Sequence, residues 1–512
     1  MTAVDFSSLA VAAQTHPAGY ALHKYWARKP HNVVRAALQA CGLQPGDWVV
    51  DPFCGSGVPL SVAAALGARC IGVDVNPVAV LLTQVTLDPP DAVDYLRAVS
   101  PLVDALQDEF GLQYQYDGCT MRHLVHATVV ICGQCKARVS AADAPKRGRT
   151  YVCPHCATRL NVNLEHLVAT QVLRGVDADG QMREVSAEHP SGKSTLPQGP
   201  CDFALPHNPR ILAYRGMRTH HLFTPRNFAV LARFAAVVTD LPEALQRAAQ
   251  LTLTGAVAQC SRLIAYRNDL KTGGPAWTVP GFWVPPLHLE TNPLLHLRAR
   301  IMKMARGLEN LRAMAGRGSH HPVHTGDCVT HLAEVVASGR RAAVVFLDPP
   351  YGDSVPYLEF SALWNSFLGA VPDAGDDIAV SDRARGDGSW HRYETGLRRC
   401  VHGVRQVLRD DGKLIVTFNN KDIRAWQALL GALQSAGLRC TGAFYQHPAV
   451  VSAKAQLAYD GSYVGDVYAL FEPSQLPADG DPGAAQAEGL VGMLRHNVRA
   501  ELIGQIFGGT RT

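Results

Sequence analysis

Trp48-Val49-Val50-Asp51-Pro52-Phe53-Cys54-Gly55-Ser56-Gly57 reads as a buried strand running into a glycine turn. A helix follows through Ala63-Ala64-Ala65-Leu66, stops at Gly67, and leads into a strand that ends at Asp74. Strand, Gly-x-Gly turn, helix, strand and terminal acid form a nucleotide-binding βαβ unit, with the acid positioned to hold both ribose hydroxyls. The unit predicts a doubly wound, Rossmann-like α/β sheet. A dinucleotide fingerprint needs a third glycine three residues after the second, but that position is Leu60, and Pro59 crowds the helix start. Pyrophosphate also avoids a nearby anion, and Asp51 stands at the turn. S-adenosylmethionine suits the pattern better, because it has no phosphate and carries an ammonium and a sulfonium that a carboxylate attracts. Asp51, Pro52, Phe53, Gly55, Gly57 and Asp74 are its expected contacts, whereas the bland reading is a glycine turn of any α/β protein.

A second motif closes the apolar run Ala342-Ala343-Val344-Val345-Phe346-Leu347: Asp348-Pro349-Pro350-Tyr351. This order suits methylation of an exocyclic amino nitrogen of a nucleobase. The lone pair of such a nitrogen is delocalised into the ring, so strong acceptors must draw on the amino hydrogens to make it pyramidal. Asp348 accepts one. Pro350 pushes Pro349 into the extended region, which lets the Pro349 carbonyl act as the second acceptor. Neither proline brings a competing N–H. Tyr351 is expected to stack on the base. The alternative is an ordinary loop after a strand, and Asp88-Pro89-Pro90-Asp91, which lacks the ring, reads as a helix-ending turn.

Asp-Pro-Phe-x-Gly-Ser-Gly followed by Asp-Pro-Pro-Tyr resembles the amino-group DNA methyltransferases, which modify adenine N6 or cytosine N4. The likeness reaches Lys29-Pro30, which matches the family's Lys-Pro near the methionine end of the cofactor. It also reaches Gly326-Asp327, whose carboxylate matches the family's contact to the cofactor adenine. Tyr25-Trp26-Ala27-Arg28-Lys29-Pro30, Phe223-Thr224-Pro225-Arg226 and Tyr351-Gly352-Asp353-Ser354-Val355-Pro356-Tyr357 are similar in particular to the zinc-ribbon-containing adenine-specific DNA methylases. The resemblance implies a flipped base in double-stranded DNA as substrate, with adenine N6 favoured and cytosine N4 as the alternative. A cognate restriction or defence system is a further candidate partner. Transfer RNA guanosine-N2 methyltransferases share a similar core, a protein-glutamine methyltransferase would usually carry Asn in place of Asp348, and a non-catalytic DNA-binding zinc-ribbon protein is the third rival.

Cys132-Gly-Gln-Cys135 and Cys153-Pro-His-Cys156 are two knuckles separated by residues 136–152, an interval of 17 residues that suits a zinc ribbon. Four thiolates close a tetrahedral shell, so the expected zinc is structural. Thirteen cysteines in a 512-residue chain argue for reduced thiols rather than a disulfide framework. A net charge of +4 is too small for general nucleic-acid coating, which confines DNA contact to local patches. Arg122, Lys136, Arg138, Lys146, Arg147, Arg149 and Arg159 form one such patch around the ribbon, and Arg210, Tyr214, Arg215, Arg218, His220, His221, Phe223 and Arg226 form another.

The expected organisation is a cofactor half over residues 1–92 and a catalytic half over 321–475. Residues 93–320 form an insertion, with the ribbon at about 119–165 and a mainly helical target-recognition region at about 200–315. A linker and one helix, 490–507, occupy 476–512. Strands are expected at 324–327, 342–348, 413–419, 438–445 and 463–471. No apolar stretch spans a bilayer and no signal peptide opens the chain, so the expectation is a soluble, cytoplasmic protein; the family resemblance further implies a prokaryotic, nucleoid-associated one.

Overall fold

A computed structural model describes residues 6–474, excepting 10, 149, 163, 186–199, 210, 213, 267–280, 315–320, 373–374, 376, 382–387, 421 and 448–464. Arg149, Arg210, Tyr463 and the expected helix 490–507 lie outside the described residues. The chain divides into two compact units. One comprises Met1–Asp91, Arg306–Leu358 and Pro372–Thr512; the other comprises Ala92–Ala305 and Glu359–Val371. Among the described residues no helix is long and apolar enough to cross a membrane.

The first unit carries a seven-stranded sheet, numbered here along the chain: β1 Trp48–Asp51, β2 Arg69–Asp74, β3 Val323–Thr325, β4 Ala342–Leu347, β5 Leu408–Phe418, β6 Leu438–Gln446 and β7 Asp466–Pro473. Their spatial order is β3-β2-β1-β4-β5-β7-β6. The first five are parallel, and β7 runs antiparallel to both β5 and β6. The expected strands are present, although β5 begins well before Lys413. All six residues of β4 are buried, as a central parallel strand covered on both faces requires.

Alternation along β2 shows what covers each face. Ile71 and Val73 join a core with Leu332 and Val335 of helix Cys328–Ala337, Val401 and Val404 of helix Gly388–Val407, and Leu429 and Leu433 of helix Ile423–Ser435. Gly72 points the other way. A Cβ there would lie 2.8 Å from Leu60, on helix Val58–Ala65. Helices therefore cover both faces. The chain leaves β1 toward β2 and β3, then returns to its other side at β4, which makes the carboxyl ends of β1 and β4 the point where strand order reverses. Open α/β sheets leave a ligand crevice at that point.

The second unit has an antiparallel sheet in the order Leu287–Thr291, Cys119–Ile131, Leu167–Asp177, Met182–Arg183. Gln115–Tyr116 and Arg138–Ser140 also pair with the long strand Cys119–Ile131. Helices Ala92–Phe110, Pro225–Val237 and Glu243–Val257 belong to the same unit.

Candidate active site and metal centre

Three acids stand at the reversal point. Asp51 ends β1, Asp74 ends β2 and Asp348 follows β4 directly. They line one cleft, placed where ligand sites of open α/β sheets lie. Of the residues expected from sequence, Lys29, Asp51, Pro52, Phe53, Gly55, Asp74, Asp348, Pro349 and Pro350 line it.

The glycine turn is built for close approach. Gly55 and Gly57 both have positive φ, at 48° and 74°. A Cβ on Gly57 would lie 2.9 Å from the Thr83 Cα, so any larger residue strains the backbone and collides with helix Pro77–Leu87. Asp74 fastens the turn by accepting the Gly55 N–H and the Asn76 N–H, each at 2.9 Å. Burial pushes its carboxyl up to about 6. Asp51 accepts the Phe53 N–H at 3.0 Å, and burial holds its carboxyl well above the ordinary range. An acidic wall of this kind favours a cationic ligand.

At Asp348 a single oxygen, Oδ1, accepts from Thr417 Oγ1 at 2.7 Å and from the Tyr351 hydroxyl at 2.9 Å, and lies 3.1 Å from Lys29 Nζ. Burial raises its carboxyl above the usual range against the opposing pull of Lys29. The Pro350 carbonyl accepts from the Tyr393 hydroxyl and the Gly352 N–H. Pro349 faces the cleft.

Four expected residues are not in the cleft wall. The Tyr351 ring packs edge-on against Phe418, 5.0 Å between centroids, and its hydroxyl accepts from Lys29 at 2.6 Å. Its ring is thus in the core rather than presented to a ligand. Pro30 caps helix His31–Ala40, and Gly57 packs on Thr83. Asp327 caps helix Cys328–Ala337, accepting from the Thr330 N–H and hydroxyl, while Gly326 and Cys328 on either side line the cleft.

Rings of the cleft come instead from Tyr25, Trp26 and Tyr357. Tyr25 and Tyr357 stack 6.4 Å apart, with Trp26 edge-on to Tyr357. Trp364 is buried in the core, and Trp390 lies against Arg424, 4.2 Å from the guanidinium. Sequence reading missed Thr417 and Asp466, the latter 3.1 Å from Lys29. Neither belongs to a motif.

In the second unit, the sulfurs of Cys132, Cys135, Cys153 and Cys156 all lie within 4.8 Å of one another and could hold a metal ion. Two sulfur pairs are 3.6 Å apart, near the roughly 3.8 Å edge of a tetrahedron with metal–sulfur bonds of about 2.3 Å. Each knuckle turns through a left-handed residue after its second cysteine, Lys136 and Ala157. Hydrogen bonds from Thr158 hold the Cys156 thiol down at about 6, which favours the thiolate.

The two basic runs differ. Arg122, Lys136, Arg138, Lys146, Arg147 and Arg159 are exposed. In the other run, Arg226 is held by both oxygens of the buried Glu290, and Arg218 and His220 pair with Asp202. Phe223 is buried. Those charges are largely spent inside the unit.

A family model for N6/N4 DNA methylases matches residues 6–84. The matched segment contains Lys29, Asp51, the glycine turn and Asp74, and ends before Asp348. No curated protein matches the chain.

Proposed function

We propose, from the amino-group DNA methyltransferase family that this match supports, that the chain transfers a methyl group from S-adenosylmethionine to the exocyclic amino group of a base in DNA, adenine N6 before cytosine N4. The observation that carries this is the single cleft shared by Asp348, Pro349, Asp51, Gly55 and Asp74. The strand order and glycine turn suit a Rossmann-like methyltransferase sheet with an inserted recognition unit. The two knuckles suit a structural zinc, as in the zinc-ribbon adenine methylases that the sequence resembles.

The cofactor supplies, when bound, a methyl group on an electron-poor sulfonium. Asp74 and the Gly55 turn would hold its nucleoside end, and Asp51 its cationic end. The target nucleotide leaves the duplex, because its amino group is otherwise paired. Asp348 and the Pro349 carbonyl accept the amino hydrogens and stabilise positive charge as it develops on nitrogen. Tyr25, Trp26 and Tyr357 offer rings for the displaced base. Tyr351 would have to leave Phe418 to stack on it. The exposed basic ribbon is suited to grip phosphates.

Tritiated-methyl cofactor incubated with the protein and either duplex DNA or transfer RNA tests this reading. Label is expected in DNA, with nucleoside analysis separating N6-methyladenine from N4-methylcytosine. Label confined to transfer RNA would move the assignment to guanosine N2, and no label in either would favour the non-catalytic reading.

Asp74 also predicts a pH dependence. Burial raises its folded pKa from the usual 3.8 to about 6. Ionisation therefore costs stability above about pH 6, and this cost disappears as the pH falls. Cofactor affinity runs the other way, because the ribose needs the carboxylate. Binding should weaken by up to about tenfold per unit below about pH 6, and a flat titration from neutral pH down to about 5 would remove Asp74 from the ribose site.

A further inference from the structure

The parallel strands deliver Asp51, Asp74 and Asp348 to the cleft from their carboxyl ends. An antiparallel strand at the same edge delivers its first residue. In β7 that residue is Asp466, and its Oδ2 lies 3.1 Å from Lys29 Nζ. Lys29 is only 2% exposed and stands at the same 3.1 Å distance from Asp348 Oδ1. One buried ammonium is thus shared by two carboxylates, reached from opposite ends of the chain.

Sharing matters at Asp348. A lone buried lysine beside a lone carboxylate forms a tight pair, because charges attract strongly where water is excluded. Such a pair would draw electron density from the carboxylate that must accept a hydrogen from the target amino group, and whose Oδ1 already accepts from Thr417 and Tyr351. A second carboxylate draws part of the ammonium away. It also changes the sum of charges from zero for Lys29 with Asp348 to minus one for all three groups. A negative surround favours the positive charge that develops on an attacking amino nitrogen.

We propose that Asp466 is a positioning residue for methyl transfer, dividing the Lys29 ammonium between two carboxylates so that Asp348 stays available to the amino group. This rests on the amino-methylation reading above. The groups facing Asp348 are Lys29, Tyr351, Thr417, Asp51, Tyr357, Asp466 and Tyr468. Of these, Asp466→Asn alters a single charge and keeps the side-chain size. Repulsion from Asp466 contributes to the raised carboxyl of Asp348, so its loss lowers the pH at which Asp348 takes a proton.

Two measurements on the full chain test the proposal. In Asp466→Asn, kcat for methyl transfer is expected to fall by about ten- to hundredfold with the cofactor KM nearly unchanged. The acid limb of the pH–kcat profile should move down, and Asp466→Glu should restore part of the rate. Carbon-13 NMR of labelled aspartate carboxyls, with Asp348→Asn identifying the Asp348 signal, should show its titration midpoint falling in Asp466→Asn. An unchanged midpoint overturns the proposal whether or not the protein methylates anything. A normal kcat in Asp466→Asn, or loss of cofactor binding together with thermal stability, overturns it as well. Wild-type protein that methylates no nucleic acid sinks the underlying reading, and the midpoint still reports on the Lys29 linkage.

Discussion

Asp348→Ala is expected to bind S-adenosylmethionine within about twofold of wild type and to lose at least about a thousandfold in methyl transfer. The substitution removes an acceptor that acts on the amino nitrogen only as it becomes nucleophilic, so the loss falls on the transition state. It should not dismantle the site. Lys29 retains a carboxylate, Asp466, at 3.1 Å, which avoids the large cost of leaving a buried charge unpaired. The glycine turn is fastened by Asp74 rather than by Asp348. Calorimetric cofactor titration beside a radiolabel transfer assay separates the two effects. A variant that still methylates would remove Asp348 from the chemistry, and one that no longer binds cofactor would make it a structural residue.

The second large effect concerns the four cysteines. Metal analysis is expected to find about one tightly held zinc per chain, and its removal by a chelator should unfold the ribbon without unfolding the seven-stranded sheet. Beyond the pairing of Arg138–Ser140 with the long strand Cys119–Ile131, the ribbon has little else to hold it. Its buried cluster is Val130, Cys132, Val139, Ala144, Cys153 and Leu160, of which two are ligands. Its hairpin pairs only Lys146–Arg147 with Thr150–Tyr151. A hairpin so short is marginal alone, whereas zinc in such sites supplies on the order of 10 kcal/mol. Limited proteolysis before and after chelation, with Cys132→Ser and Cys153→Ser as controls, should show new cleavage between residues 132 and 156. Unchanged resistance, or the absence of metal, would defeat the expectation.

How far the sequence could be read depended on the range of the forces involved. The glycine turn was legible because its requirements are local: positive φ at Gly55 and Gly57, and an acid at the end of the next strand. The cysteine quartet was legible for the same reason, as each knuckle is a single tight turn. Tyr351 was not, because its orientation depends on Phe418 and Lys29, which are remote in sequence. Asp327 carried the right type of side chain, yet the helix it opens takes the carboxylate as a cap. Arg226 resembled a phosphate contact until Glu290, 64 residues away, was found to neutralise it. The long strand Cys119–Ile131 drew no notice, since its run of buried residues shows no alternation to separate strand from buried helix. Asp466 was invisible for a topological reason: one acid at the start of a strand acquires meaning only once that strand is known to run backwards.

Pairing Val49 with Val344 encloses about 300 residues of chain, and closing so large a loop is entropically slow to begin. During synthesis from the amino terminus, the first two strands must wait for their neighbour β4 while the whole insertion emerges. Asp466 comes later still. Nonsense alleles that end between β5 and β7 should therefore accumulate as partly assembled, chaperone-bound species with an exposed β5 edge, rather than as weakened but soluble products.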